Sequence, residues 1–266
     1  MVQAVFFDID GTLIPFGHDT FIDSTKNALK QLKNKGIKII ISSGRPWDMV
    51  SQLDELCVPF DGYILLNGQL CLDQGNVIRG ISIPSDRLKK AYQYFRDHDI
   101  EAIFASRYDT CYVLDRPYFE AQEFNFQPYD PSRMNDDPVY QIMARIHTNE
   151  KEIHQGLMDI LVDYKGVRWH DESEDIIHKD SGKSVGILEM LKYYNIDIKD
   201  TMAFGDGGND IDMLELVNIG VAMGNARDEI KQHADYVCER DIEDGIYKTL
   251  VKYHVIEDEL NLCQKK

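Results

Sequence analysis

Val5-Phe6-Phe7-Asp8-Ile9-Asp10-Gly11-Thr12-Leu13 is the stretch that decides the fold. Three apolar residues open it, as in a strand buried on both faces. The strand gives way at once to two aspartates, a glycine and a threonine. In an open α/β sheet the ligand crevice lies beyond the carboxyl ends of the strands. Two acids two residues apart at such an end can face one metal ion or one reacting phosphorus. Taken alone, Asp-x-Asp-Gly is equally a solvated turn, and the segments downstream decide between the two.

Outward from this stretch the chain alternates helix and strand. The spacing of Ala28, Leu29 and Leu32 predicts an amphipathic helix over Ser24 to Lys35. A β-branched strand, Ile37 to Ile41, ends in Ser42-Ser43-Gly44-Arg45-Pro46, and Pro46 suits the first turn of a following helix. Tyr63 to Leu66 reads as a third strand running into Asn67-Gly68, and Gln69 to Ile83 as paired short strands around Gln74-Gly75-Asn76. From Pro84 the texture changes to grouped helices and antiparallel strands, and from Lys183 the alternation returns. Residues 1–83 and 179–266 are therefore expected to form one α/β core, a Rossmann-like doubly wound parallel sheet, with 84–178 inserted as an α+β domain.

Bulk properties narrow the function. A chain of 266 residues suffices for one large domain or two modest ones, and 43% apolar residues suffice for an ordinary core. A formal charge of −17 argues against nucleic acid or an anionic membrane as partner. A protein this acidic needs a cation and a few placed basic groups to hold a phosphorylated ligand. Five scattered cysteines form no Cys-x-x-Cys pair, so the sequence suggests neither a disulfide framework nor a zinc site. No targeting segment or membrane-length apolar run stands out. The expectation is a cytoplasmic protein, by default a monomer, acting on a small molecule.

Four segments fall at strand ends or helix starts: Asp8 to Thr12, Ser43 to Arg45, Lys183, and Gly205-Asp206-Gly207-Gly208-Asn209-Asp210. One sheet edge can gather all of them. In this order, with a large insertion between the second and third, the set resembles the haloacid dehalogenase (HAD)-like phosphohydrolases. The insertion and Asn67-Gly68 resemble the Cof-type branch with a type IIB cap.

The resemblance implies Mg²⁺-dependent phosphatase action on small phosphorylated metabolites, mostly sugar phosphates. It implies Asp8 as nucleophile, forming an aspartyl-phosphate, and Asp10 as general acid and base. Two anions about 4 Å apart repel by ~4 kcal/mol at an effective dielectric near 20, so attack on a phosphate needs that charge offset. The Asp8 carboxylate, the Asp10 carbonyl and the Asp206 carboxylate are the implied Mg²⁺ ligands. Asp210 is implied either to bind through water or to orient its neighbours. The Ile9 amide, Ser43, Gly44, Lys183 and Asn209 are the implied phosphate contacts. Lys183 is preferred to Lys179 because it opens a helix.

Arg45 is open between the substrate and an acid of the cap. Arg107, Asp109, Arg145 and Trp169 are candidate cap contacts to the leaving group. A capped enzyme must admit water and release product, so hinges are expected near Ile83 and Lys179. Two other readings share the aspartyl-phosphate: a phosphomutase, and a phospho-signalling or binding module of the receiver type. Asp10 and the insertion argue against the second.

Overall fold

A computed structural model describes residues 1–51, 53–108, 110–114, 126–133 and 137–259. The first elements are β1 (Ala4–Phe7), α1 (Asp23–Asn34), β2 (Lys38–Ser42), α2 (Leu53–Leu56), β3 (Gly62–Leu65), β4 (Leu70–Asp73) and β5 (Asn76–Gly80). Next come α3 (Ser85–Asp97), β6 (Ala102–Ala105), β7 (Cys111–Tyr112), β8 (Gln127–Pro128), β9 (Gln141–Ala144), α4 (Lys151–Ile160), β10 (Tyr164–His170) and β11 (Ser173–His178). Then follow α5 (Lys183–Tyr194), β12 (Thr201–Gly205), α6 (Ile211–Leu216), β13 (Ile219–Ala222), α7 (Asp228–Lys231), β14 (Tyr236–Val237) and α8 (Gly245–Lys252).

Two sheets result. The larger runs β14-β13-β12-β1-β2-β3-β4-β5, and the smaller runs β10-β11-β9-β6-β7-β8. From β14 to β3 the larger sheet is parallel, and β4 and β5 extend it antiparallel. This is a doubly wound α/β sheet. Its strands are apolar on both faces because helices cover both. Val5, Phe7, Ile39 and Ile41 pack with α1 and α8, including Leu29, Leu32 and Leu250. Ala4, Phe6, Ile40 and Ala203 pack against Ile187 and Met190 of α5 and Met213 and Leu214 of α6. Phe7 and Phe204 stack across neighbouring strands with centroids 5.2 Å apart.

The smaller sheet has a different economy. One face carries Phe104, Ile142, Ala144 and Ile176 against Leu88, Ala91 and Phe95 of α3 and Leu157 of α4. Strand alternation sends Gln141, Met143 and Asp175 to the opposite face. Met143 packs there against the apolar core of the larger sheet. The second face of the smaller sheet is thus turned onto the first sheet.

Some element bounds depart from the sequence reading. The sequence predicts a strand over Ile37 to Ile41, and β2 spans Lys38–Ser42; the helix read over Ser24 to Lys35 spans Asp23–Asn34. Near the end of the described residues, Gln31 and Tyr247 donate to the Glu257 carbonyl at 3.1 and 3.2 Å. Among the described residues, no helix is long and apolar enough to cross a membrane.

Candidate active site

Strand register builds the site. β1 lies between β12 and β2, all parallel, with Phe7 opposite both Phe204 and Ile41. The residues just past the three carboxyl ends are therefore Asp8, Asp206 and Ser43. This is the point where strand order departs in both directions from β1, which is where open α/β sheets bind ligands.

Lys183 reaches the cluster from the first turn of α5. Its Nζ donates to Asp8 Oδ1 and to Asp210 Oδ1, each at 2.5 Å, and its side chain is fully buried. Asp210 Oδ2 accepts the Asp206 and Gly207 amides at 2.9 and 2.8 Å, so this carboxylate shapes the loop that carries Asp206. Thr12 Oγ1 donates to Asp206 Oδ1 at 2.8 Å. Gly11 has φ +73°, and a Cβ there would stand 2.4 Å from Asp206 Oδ2. Both the left-handed turn and the close approach of Asp206 require glycine.

One oxygen from each of Asp8, Asp206 and Asp210 lies within 4.8 Å of the others. Burial pushes Asp8 up from 3.8 to about 7, with the charges of Asp210 and Asp10 adding to the rise and Lys183 opposing it. Burial likewise pushes Asp206 up to about 8, with Asp8 and Asp210 adding to it. Burial alone would pull Lys183 down, yet Asp210 and Asp8 hold it above the ordinary lysine value. Three carboxyl groups thus face one ammonium, and their oxygens are of the hard kind that could hold a metal ion.

Asp10 meets Arg45. The guanidinium takes the carboxylate with two bonds, Nε to Oδ2 at 2.9 Å and Nη2 to Oδ1 at 2.5 Å. The sequence left Arg45 between the substrate and a cap acid; its partner here is Asp10, in the turn just beyond β1. The turn that places it is short, with Pro46 extended before Trp47–Met49. Ser43 is buried, and its Oγ accepts the Arg45 amide at 3.1 Å. The Ile9 carbonyl accepts the Ile14 amide at 2.8 Å, which closes the tight turn holding Asp10. Asn209 Nδ2 donates to Asn67 Oδ1 at 3.1 Å, and the Asn67 amide donates to the Ser43 carbonyl at 3.1 Å. Lys179, the rival to Lys183, instead donates to the Val162 carbonyl at 2.7 Å.

The cap candidates fare differently. Arg107 donates to the Gly75 carbonyl at the β4–β5 hairpin and stacks on Tyr108. Arg145 pairs with Glu101 at 3.5 Å and Glu172 at 3.8 Å. None of these partners belongs to the carboxylate cluster. Asp109 lies outside the described residues, and so does the side chain of Trp169, whose backbone belongs to β10.

Sequence reasoning passed over Gln141 and Asp175, which do reach the site. Asn67, left-handed at φ 52° and ψ 43°, donates through Nδ2 to Gln141 Oε1 at 3.0 Å and Asp175 Oδ2 at 2.8 Å. The available signal was polar residues at alternate positions of strands whose other face is apolar.

A family model described as haloacid dehalogenase-like hydrolase matches residues 5–250. The chain resembles BT1666 from Bacteroides thetaiotaomicron, described among phosphatases of the HAD superfamily, with TM-score 0.84, 30% identity and coverage of 96% of each chain. It also resembles the HAD subclass IIB sugar phosphatase BT4131, with TM-score 0.83, 31% identity and coverage of 96% of this chain and 100% of that one. The 5-amino-6-(5-phospho-D-ribitylamino)uracil phosphatase YitU of Bacillus subtilis (strain 168) is 28% identical over 94% of this chain and 96% of its own length.

Proposed function

The chain belongs to the haloacid dehalogenase-like hydrolase family and is a phosphatase, and on that premise we propose that it hydrolyses small phosphorylated metabolites, sugar phosphates above all, through an aspartyl-phosphate. The observation that carries this reading is the convergence of Asp8, Lys183, Asp210 and Asp206 beyond the ends of β1 and β12.

In this reading Lys183 occupies Asp8 Oδ1, so attack falls to Oδ2. The new bond joins that oxygen to phosphorus while the ester oxygen departs with a proton from Asp10. Water then attacks the aspartyl-phosphate, Asp10 takes its proton, and phosphate leaves with Asp8 restored. Arg45 orients the Asp10 carboxylate for both transfers. Ser43, the Ile9 and Gly44 amides, Lys183 and Asn209 hold the phosphoryl oxygens. Asp8, the Asp10 carbonyl and Asp206 would hold Mg²⁺, with Asp210 setting the loop behind Asp206. When bound, the ion supplies positive charge that offsets the repulsion between nucleophile and phosphate.

Residues 84–178 act as a cap over this site. A ribityl phosphate in the name of one relative and sugar phosphatase in that of another support a small polyhydroxylated substrate. The free cysteines among the described residues, Cys57, Cys71, Cys111 and Cys238, suit a reducing cytoplasm. Phosphate release from a metabolite panel with Mg²⁺, and none with EDTA, tests the proposal. Isomer formation without free phosphate would mark a mutase instead.

A further inference from the structure

The geometry points to Asp175 and Gln141 as the side chains that select the leaving group, and to a neutral, polyhydroxylated group as the one they accept. This rests on the phosphatase reading above and narrows its substrate class. Both residues stand on the face of the smaller sheet turned toward the larger one, 3% and 0% exposed. Gln141 Nε2 donates to the Gly44 carbonyl at 3.3 Å. Gly44 itself is pressed so closely that a Cβ there would lie 3.3 Å from both Asp175 Oδ2 and Asn67 Nδ2. Gly44 follows Ser43, and Asn67 is bonded to the Ser43 carbonyl and to Asn209. The cap therefore meets the core beside the backbone that would hold the phosphoryl group. A leaving group bonded to that phosphorus has to emerge between this loop and strands β9 and β11.

The polarity of the contact says what fits. The core offers a donor, Asn67 Nδ2, and the cap answers with two acceptors, Asp175 Oδ2 and Gln141 Oε1. A hydroxyl both donates and accepts. A polyol inserted here can therefore accept from Asn67 and donate to Asp175 and Gln141, leaving no buried polar atom unpaired. An aryl group offers no hydrogen bond to Asn67 Nδ2 or Gln141 Oε1, and buried polar groups that lose their partners are what make such sites selective. A leaving group with its own phosphate or carboxylate would instead bring a second anion against the Asp175 carboxylate, itself 3% exposed.

The test is kcat/KM with Mg²⁺ for p-nitrophenyl phosphate, fructose 1,6-bisphosphate and a panel of neutral hexose, pentose and polyol monophosphates. Wild type is expected to prefer its best neutral monophosphate over each of the other two by about tenfold or more. Asp175→Asn, which keeps size but removes charge, is expected to cut the preference over the bisphosphate by about tenfold. Gln141→Leu is expected to cut the preference over the aryl ester by a similar factor. Unchanged ratios in both variants, with all substrates falling together, would mean a cap latch and overturn the inference. Wild-type turnover of the aryl ester as fast as every polyol phosphate would overturn it too, while leaving the phosphatase reading intact. Wild type without activity on any probe refutes that reading, and this one with it. If Asp175→Asn melts before assay temperature, Asp175→Gln, which also removes the charge, decides by the bisphosphate ratio and Gln141→Leu by the aryl ratio.

Discussion

Replacing Asp8 with asparagine should remove turnover and, near pH 8, stabilise the metal-free protein. The residue is 7% exposed and its carboxyl is pushed up from 3.8 to about 7, chiefly by burial. The sign follows from linkage: a carboxyl whose pKa is higher in the fold is more protonated there than in the unfolded chain. Stability therefore falls as pH rises through the interval from 3.8 to about 7 and levels off above it. At ~1.4 kcal/mol per unit of pKa, the ionised group costs the fold roughly 4 kcal/mol above that interval and roughly 1–2 near pH 5.

Asparagine keeps an acceptor for Lys183 and carries no charge, so it escapes most of this cost while weakening an ion pair at 2.5 Å. The advantage of the variant in EDTA should grow by about 2 kcal/mol between pH 5 and pH 8, or about 5 °C in melting temperature for a chain of this size. The measurement is a pair of thermal melts at the two pH values, beside an assay of aryl phosphate hydrolysis. A variant whose melting temperature relative to wild type is the same at both pH values would refute the electrostatic account. Turnover within tenfold of wild type would refute Asp8 as nucleophile.

Three further outcomes are expected. Mg²⁺ should raise the melting temperature of wild type more near pH 8 than near pH 5.5, because Asp8 and Asp206, at about 7 and about 8, must lose their protons to bind it; equal shifts would argue against this carboxylate set. Gly11→Ala forces a side chain into φ +73° and to 2.4 Å from Asp206 Oδ2, so a loss of about 1–3 kcal/mol and more than tenfold in kcat should appear in melts and assays. Thr12→Val removes the 2.8 Å bond that orients Asp206, and a Mg²⁺ titration of activity should show about tenfold weaker binding with little change in stability.

The larger sheet and its carboxylate cluster were legible because their determinants are local. Runs such as Val5 to Phe7 and Ile39 to Ile41 are buried on both faces by helices, and a run of that kind announces a parallel strand without reference to its neighbours. Each ends where its polar residues begin, so parallel pairing alone carries Asp8, Ser43 and Asp206 to one edge. Arg45 escaped this logic. Its backbone position follows from the strand end, but its partner depends on the direction taken by the turn at Trp47–Met49, and that turn points it at Asp10.

The smaller sheet is opaque in sequence as a binding surface, for a reason that lies in its strands. Only one face is covered by helices, so polar residues at alternate positions are what any half-solvated strand would show. Arg107 and Arg145 drew attention as charges near strand ends, yet the hairpin carbonyl of Gly75 engages one, and Glu101 and Glu172 engage the other. Gln141 and Asp175 look unremarkable in sequence, lie 34 residues apart and occupy strands that pair directly in the order β11-β9. Their significance comes from which sheet face the core covers, and that is decided by Gly44 and Asn67 at the ends of β2 and β3. Phosphoryl chemistry is thus written in single strand ends, whereas selection of the leaving group depends on two sheets meeting. Substitutions at Asp175 and Gln141 should accordingly change which phosphate ester is taken, and substitutions at Asp8 and Lys183 whether any is.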